Sequence, residues 1–278
     1  MIRYAILGPV ELRDGERGVV VGGPQQVALL AFLLVNANRA LSRDRLIDAL
    51  WSDCGPGGAV KRLHVAIARL RRTLDANGMQ GESVLRTVAG GYLFAIAPGQ
   101  LDAEVFQTRL DQGHRALEAG EAARARALLG EALAMWHGPA LAGAAYEEFA
   151  QPEIRRLEEL RLAAVETRVD CELQLGEHAR AIGELETLVA AHPGRERFTG
   201  QLMLALYRCG RQGDALEVYA RTRAYLSSEL GLEPGPAVRT LQAEVLAQSD
   251  VLAAPGGAFA AASRPVRRVL PRPLLPAS

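Results

Sequence analysis

The chain has 278 residues, 32 Lys plus Arg balanced by 32 Asp plus Glu, 49% hydrophobic residues and three cysteines. That length is roughly twice an ordinary domain, so two cores are expected, and the composition fits neither a fibrous nor a wholly disordered protein. The longest apolar run, Val27 to Val35, is far short of the ~18 to 20 residues of a membrane span. The N-terminus has no signal-peptide core, and Cys54, Cys171 and Cys209 are too scattered for a disulfide framework or zinc knot, so a cytoplasmic protein without membrane contact is expected.

Tyr4 to Val10 and Val19 to Val21 alternate around Arg13-Asp14-Gly15, which predicts short antiparallel strands with a hairpin at Asp14-Gly15. After Gly22-Gly23-Pro24 the period turns helical, with Val27, Leu30, Ala31 and Leu34 on one face of a first helix that ends near Ala37. Ser42 is suited to cap a second helix, with Asp44 in its first turn and Leu46, Ile47, Leu50 and Trp51 as its apolar stripe, until Asp53-Cys54-Gly55-Pro56 ends it. A third helix is predicted from Ala59 to Asp75. Two strand-like runs around Gly90-Gly91, within Val84 to Phe94, then predict a hairpin. Strands, three helices and a closing hairpin are the order of a winged helix-turn-helix.

The third helix carries the chemistry. Leu63, Ile67, Leu70 and Leu74 recur at spacings of four, three and four, so they face the core. The opposite face gathers Lys61, Val65, Ala68 and Arg72, flanked by Arg62, His64 and Arg69. Between residues 61 and 72 stand five Lys or Arg and no carboxylate. A solvated helix usually mixes signs to gain i,i+4 pairs, whereas a face of one sign repels itself until an anion arrives. An ordinary basic surface helix is the competing reading. In a DNA groove, Arg can bridge guanine O6 and N7 and Val65 can touch a thymine methyl. Lys61, Arg62, His64, Val65, Arg69 and Arg72 are therefore the candidate groove residues. Ser42 and Arg43, at a helix N-terminus, suit a phosphate, and Arg86 and Thr87 on the hairpin are wing candidates. Arg71 lies nearer the core flank and is read as a partner in an internal ion pair.

From Leu101 to about Gln248 helical periodicity dominates. The segments Gly120 to Ala125, Gly176 to Ala181 and Gly210 to Ala215 share the spacing Gly-(x)4-Ala, and the last two are 34 residues apart, the period of a tetratricopeptide repeat. In such a unit the glycine turns the chain between paired helices and the alanine permits close helix approach. The chain is thus read as mainly α: a winged helix-turn-helix over 1–97, an all-α tetratricopeptide-like domain over 101–248, and a disordered Pro/Ala/Arg-rich tail over 253–278. Residues 1–100 hold 12 Lys or Arg against 8 carboxylates and residues 101–250 hold 16 against 24, a basic reader ahead of an acidic, protein-contacting module. The five histidines are scattered, and no metal-ligand cluster, nucleophile pair or phosphate loop is present, so no catalytic site, metal or cofactor is expected.

Several segments together carry a family resemblance. They are Leu7-Gly8-Pro9-Val10-Glu11, Gly22-Gly23-Pro24-Gln25-Gln26, Leu41 to Trp51, Ala68 to Leu74 and Thr87-(x)3-Gly91-Tyr92 in the first half, and His192-Pro193-(x)-Arg195-Glu196-Arg197, Leu202 to Gln212 and Glu229 to Pro236 in the second. On these the chain resembles the Streptomyces antibiotic regulatory proteins over roughly residues 2 to 247. The resemblance implies an OmpR-type DNA-binding domain joined to a bacterial transcriptional activation domain. It further implies an activator of a secondary-metabolite gene cluster that binds direct repeats in double-stranded DNA upstream of promoters, associates with the nucleoid and assists RNA polymerase holoenzyme, with a homo-oligomer on DNA as one arrangement. At Ala66 and Ala68 the chain departs from the aromatic, His or polar residues more usual in that family. That departure supports the alternative reading, an interaction adaptor whose winged helix no longer binds DNA.

Overall fold

The computed structural model describes residues 2–15, 17–19, 21–52 and 56–252. Cys54 and the 253–278 segment expected to be disordered lie outside the described residues. Two compact units divide between Val165 and Glu166.

The first unit opens with the sheet β1 (Ile2–Ala5), β2 (Glu11–Asp14) and β3 (Arg17–Val19), in that order and antiparallel, with the hairpin turning at Gly15. The strand expected to run to Val10 stops at Ala5 because the next backbone groups are engaged elsewhere. The Asp102 carboxylate accepts the N–H groups of Ile6 and Leu7, each at 3.0 Å. The carbonyls of Ile6, Leu7 and Gly8 accept from Leu141, His137 and Ala142 at 2.8 to 2.9 Å. Val10 returns a bond to the Ala142 carbonyl, so the segment around 137–142 runs alongside the N-terminal strand's extension.

Helix α1 (Pro24–Val35) is apolar on nearly every side, which makes it a central helix rather than a surface one. It packs against α3, against the second sheet and against the short 3-10 turn Glu148–Ala150, where Phe32 meets Phe149 edge to face at 4.8 Å. The short strand β4 (Ala40–Ser42), not anticipated from the pattern, leads into α2 (Arg43–Trp51), and α3 (Pro56–Ala76) follows. Leu63, Ile67, Leu70 and Leu74 of α3 are all buried, as their spacing requires. One turn of helix, α4 (Gly81–Val84), separates α3 from the wing strands β5 (Leu85–Val88) and β6 (Gly91–Phe94), and β6 pairs with β4 and β5 in the order β4-β6-β5. The same unit then contains the hairpin α5 (Asp102–Glu118) and α6 (Ala122–Leu133), and the first part of α7 (Gln151–Gln174).

The second unit holds the rest of α7, then α8 (His178–Ala191), α9 (Glu196–Arg208), α10 (Gln212–Tyr225) continued by a π turn, and α11 (Pro236–Leu246). Its middle is α9, in which every residue from Phe198 to Leu206 is buried. Charged residues anchor it: Arg195 pairs with Glu166 at 2.5 Å, Arg197 pairs with Asp170, and Gln201 donates to Asp170 at 2.6 Å. Burial pushes the Asp170 carboxyl above its ordinary range, and Arg197 and Gln201 oppose that shift.

The three Gly-(x)4-Ala segments adopt one geometry. Gly120, Gly176 and Gly210 have φ of 79°, 80° and 75°, a left-handed conformation that L side chains resist. In each, the next N–H bonds back to the carbonyl five residues earlier at 2.9 Å: Glu121 to Ala116, Glu177 to Glu172 and Arg211 to Leu206. Ala125, Ala181 and Ala215 are buried where the returning helix packs. The sequence repeat is a repeated helix stop.

Asp102 is half-buried, and the desolvation raises its pKa to about 6 against the pull of the Leu7, Ile6 and Ala103 N–H groups and the Arg13 charge. A raised folded-state pKa means the folded chain binds the extra proton between about pH 4 and 6, so this residue's contribution to stability falls as pH rises through that window. The shift corresponds to about 3 kcal/mol at most. Asp102→Asn should remove that slope in pH-dependent denaturation while retaining an acceptor. Asp102→Ala, which strands the N–H groups, should destabilise the first unit by about 1 to 3 kcal/mol. A chain ending at residue 97 loses Asp102, the 137–142 segment and Phe149 together. It should give broad, poorly dispersed amide spectra where a chain ending at 165 gives sharp ones.

Candidate nucleic-acid interface

Three elements of the first unit converge on the wing. Ser42 ends β4 and caps α2, its Oγ accepting the Arg45 N–H at 3.1 Å. The Arg43 N–H donates to the Gly90 carbonyl in the wing turn at 3.1 Å. This approach needs a glycine at 91, because a Cβ there would lie 1.8 Å from the Leu41 carbonyl oxygen. Ser42 and Arg43 are both exposed, but the N–H groups of Arg43 and Arg45 are already used within the fold. What they present outward is the Ser42 hydroxyl and the Arg43 guanidinium.

Arg71 is not the ion-pair partner its position suggested. Its Nε and Nη2 donate to the Leu85 carbonyl at 2.9 and 2.7 Å, and Nη2 also donates to Thr87 Oγ1 at 2.8 Å. No carboxylate pairs with it among the described residues. A flat guanidinium can hold the carbonyl and the hydroxyl at once, which joins the flank of α3 to β5. Thr87, expected on the wing, is exposed and takes part in this link. Arg86 is exposed, and its Nε donates to the Ser83 carbonyl at 2.8 Å.

On α3 itself Lys61, Arg62, His64, Val65, Ala68, Arg69 and Arg72 are all exposed. At 100° per residue, Lys61, Val65, Ala68 and Arg72 fall within about 60° of arc, with His64 and Arg69 on either side. The helix is 21 residues long, or about 31 Å, long enough to lie in a groove and extend beyond it. Among the described residues no carboxylate pairs with Lys61, Arg69 or Arg72, and Arg72 Nε donates only to the Ala68 carbonyl at 3.3 Å. Ala66 is on the other side. It is 5% exposed, and its carbonyl accepts from Gln26 Nε2 of α1 at 3.3 Å. The departure at Ala66 is thus a packing matter, whereas Ala68 lies on the open face.

The structure therefore brings the six α3 candidates onto one side of one helix and ties the four others to the same wing. Sequence reading did not find Arg71's link or β4. Both rest on pairings between residues distant in the chain, and the one local signal was the Gly90-Gly91 pair.

This arrangement is that of a transcriptional regulator. Residues 17–94 match the family model described as "Transcriptional regulatory protein, C terminal", and residues 101–246 match the one described as "Bacterial transcriptional activator domain". The regulatory protein AfsR of Streptomyces coelicolor is 44% identical over 91% of this chain, which spans only about a quarter (25%) of AfsR's length. The transcriptional regulator RedD of the same organism is 38% identical over 91% of this chain and 73% of its own. Mycobacterium tuberculosis EmbR, solved in complex with a low-affinity phosphopeptide, superposes with a TM-score of 0.84 at 34% identity, covering 89% of this chain and 65% of EmbR. The chain belongs to the Streptomyces antibiotic regulatory protein family of transcriptional regulators.

Arg71→Ala should loosen the wing without disturbing α3. Amide exchange in Leu85 to Phe94 should quicken by an amount equivalent to about 1 to 2 kcal/mol. Arg71→Lys should rescue little of it, because an ammonium cannot reproduce the planar fork.

Proposed function

We propose that the chain is a sequence-specific DNA-binding activator of a secondary-metabolite gene cluster, acting in the cytoplasm at the nucleoid. It binds direct repeats upstream of promoters and helps RNA polymerase holoenzyme engage there. The observation that carries the reading is the exposed α3 face, in which Lys61, Arg69 and Arg72 have no carboxylate partner among the described residues. Such a face is stabilised by a polyanion, and a helix is the element that fits the ~12 Å wide major groove. Arginines on phosphates would supply affinity through counterion release, while a few side chains on α3 choose the sequence. Arg86 and Thr87 on the wing, with Ser42 and Arg43 at the start of α2, would fix orientation by contacting the backbone. Direct repeats place neighbouring copies head to tail, which allows a homo-oligomer to assemble on DNA. Membership of a family of transcriptional regulators supports the same reading, and the acidic second half supplies a surface for protein rather than for nucleic acid.

The test is capture of sheared host DNA by the purified full-length chain, followed by sequencing, beside a Lys61→Ala/Arg72→Ala variant. Enrichment of a direct repeat next to a biosynthetic promoter is expected. Arg72→Ala alone should weaken binding to that repeat by about 1 to 3 kcal/mol if it reads a base, and Lys61→Ala should lower the salt dependence by about one phosphate's worth. No enrichment at low salt, with or without added RNA polymerase, would refute the activator reading.

A further inference from the structure

We infer that α3 reads pyrimidine 5-methyl groups through Val65 and Ala68, set between cationic ends formed by Lys61 and Arg72. The inference rests on the DNA-binding reading above and names what the centre of that surface recognises. Val65 is 42% exposed, one of eight large apolar side chains left open among the described residues, and Ala68 is exposed beside it. A single exposed valine is ordinary on any protein surface. Its place is what matters. Taking Lys61 as origin, Val65, Ala68 and Arg72 follow at about 6, 10 and 16 Å along the helix axis. The order is therefore cation, apolar, apolar, cation, on an arc of about 60°. The flanking residues that can donate, His64 and Arg69, lie to either side of this line. Ala66 and Ile67 point inward and are 5% and 2% exposed.

Neither Val65 nor Ala68 can hydrogen-bond a base edge. Pressed against guanine, cytosine or adenine in the major groove, they would desolvate polar atoms and offer nothing in return. The largest apolar group that any base presents in that groove is the thymine 5-methyl. The two side chains are about 4.5 Å apart along the axis, near the ~3.4 Å step between stacked bases, so they can meet methyls on neighbouring base pairs. Hydrogen-bonding specificity then falls to the ends, where Arg72 can bridge a guanine. The departure at Ala68 becomes a choice of base in place of a lost contact. Because 5-methylcytosine carries the same methyl at the same groove position, the surface takes it in place of thymine. Cytosine methylation at the central positions of a half-site would strengthen binding.

The experiment uses the full-length chain and the operator recovered by genomic selection, with thymines replaced by uracil one at a time. Loss of one buried methyl should lower affinity about fourfold. This is expected at one or two central positions per half-site and at none outside them. In a second duplex with a central cytosine, 5-methylcytosine should raise affinity by a similar factor. Val65→Ala should weaken binding to the thymine operator and abolish the uracil effect at one position. An unaltered circular-dichroism spectrum and thermal midpoint report that the variant is folded, and Val65→Thr, nearly isosteric and still carrying a methyl, should retain part of the uracil effect. Uniform tolerance of uracil, or an undiminished uracil effect in Val65→Ala, overturns the inference while leaving the activator reading intact. Failure of the unaltered chain to bind any DNA overturns both.

Discussion

A single half-buried carboxylate holds the first unit to its present extent. Asp102, the first residue of α5, accepts N–H groups from Ile6, Leu7 and its own neighbour Ala103. Those donors lie just beyond the chain's opening strand and at the start of α5. Each left without a partner in a buried place would cost about 1 to 3 kcal/mol, comparable with a large share of a domain's net stability. The carbonyls of the same stretch are taken by Leu141, His137 and Ala142, so the N-terminal strand's extension has partners on both its sides. The winged helix is consequently built into a larger unit that reaches Val165.

The local half of this was legible in the sequence. A period of 3.6 with Leu63, Ile67, Leu70 and Leu74 put α3 in place to within three residues at its start, and Ser42 capped α2 as its side chain predicts. The Gly-(x)4-Ala spacing marked three helix stops because glycine is the one residue at ease with a φ near 80°. What was not legible depends on contacts across the chain. Nothing near Asp102 announces that its acceptors serve residues 96 and 95 positions away. The same holds for Arg71, whose flank position suggested a carboxylate but whose partners are a carbonyl and a hydroxyl on β5. Phe149 reads as a stray aromatic in a loop until Phe32 is seen beside it.

The motif His192 to Arg197 shows how a family signature resolves into separate jobs. Arg195 and Arg197 pair with Glu166 and Asp170 of α7, while the Glu196 carboxylate, between them, accepts the Gly235 N–H at 2.6 Å ahead of α11. Three consecutive charges thus fasten α9 to α7 on one side and to the approach to α11 on the other. Buried ion pairs of this sort add little net stability, because desolvation offsets attraction. Removing one partner is another matter, since the remaining charge stays buried.

The charge on α3 is retained by a different device. Asp75 stands three and four residues after Arg72 and Arg71, the spacing at which a helix normally neutralises an arginine. It does neither. Its Oδ1 accepts the Gly81 N–H at 2.7 Å and so fixes the turn into α4, while Arg71 is directed to β5. One acid and one arginine are thus committed to holding the wing, and Arg72 is left facing outward. The repulsion this leaves on the helix surface is about 0.2 to 0.5 kcal/mol per like-charged pair at helical spacing. Burying Leu63, Ile67, Leu70 and Leu74 contributes about 1.5 to 3 kcal/mol each. The core side of α3 therefore outweighs the charged side several times over. The helix can keep a face of one sign in the absence of any partner, ready-made for an anion rather than assembled by it.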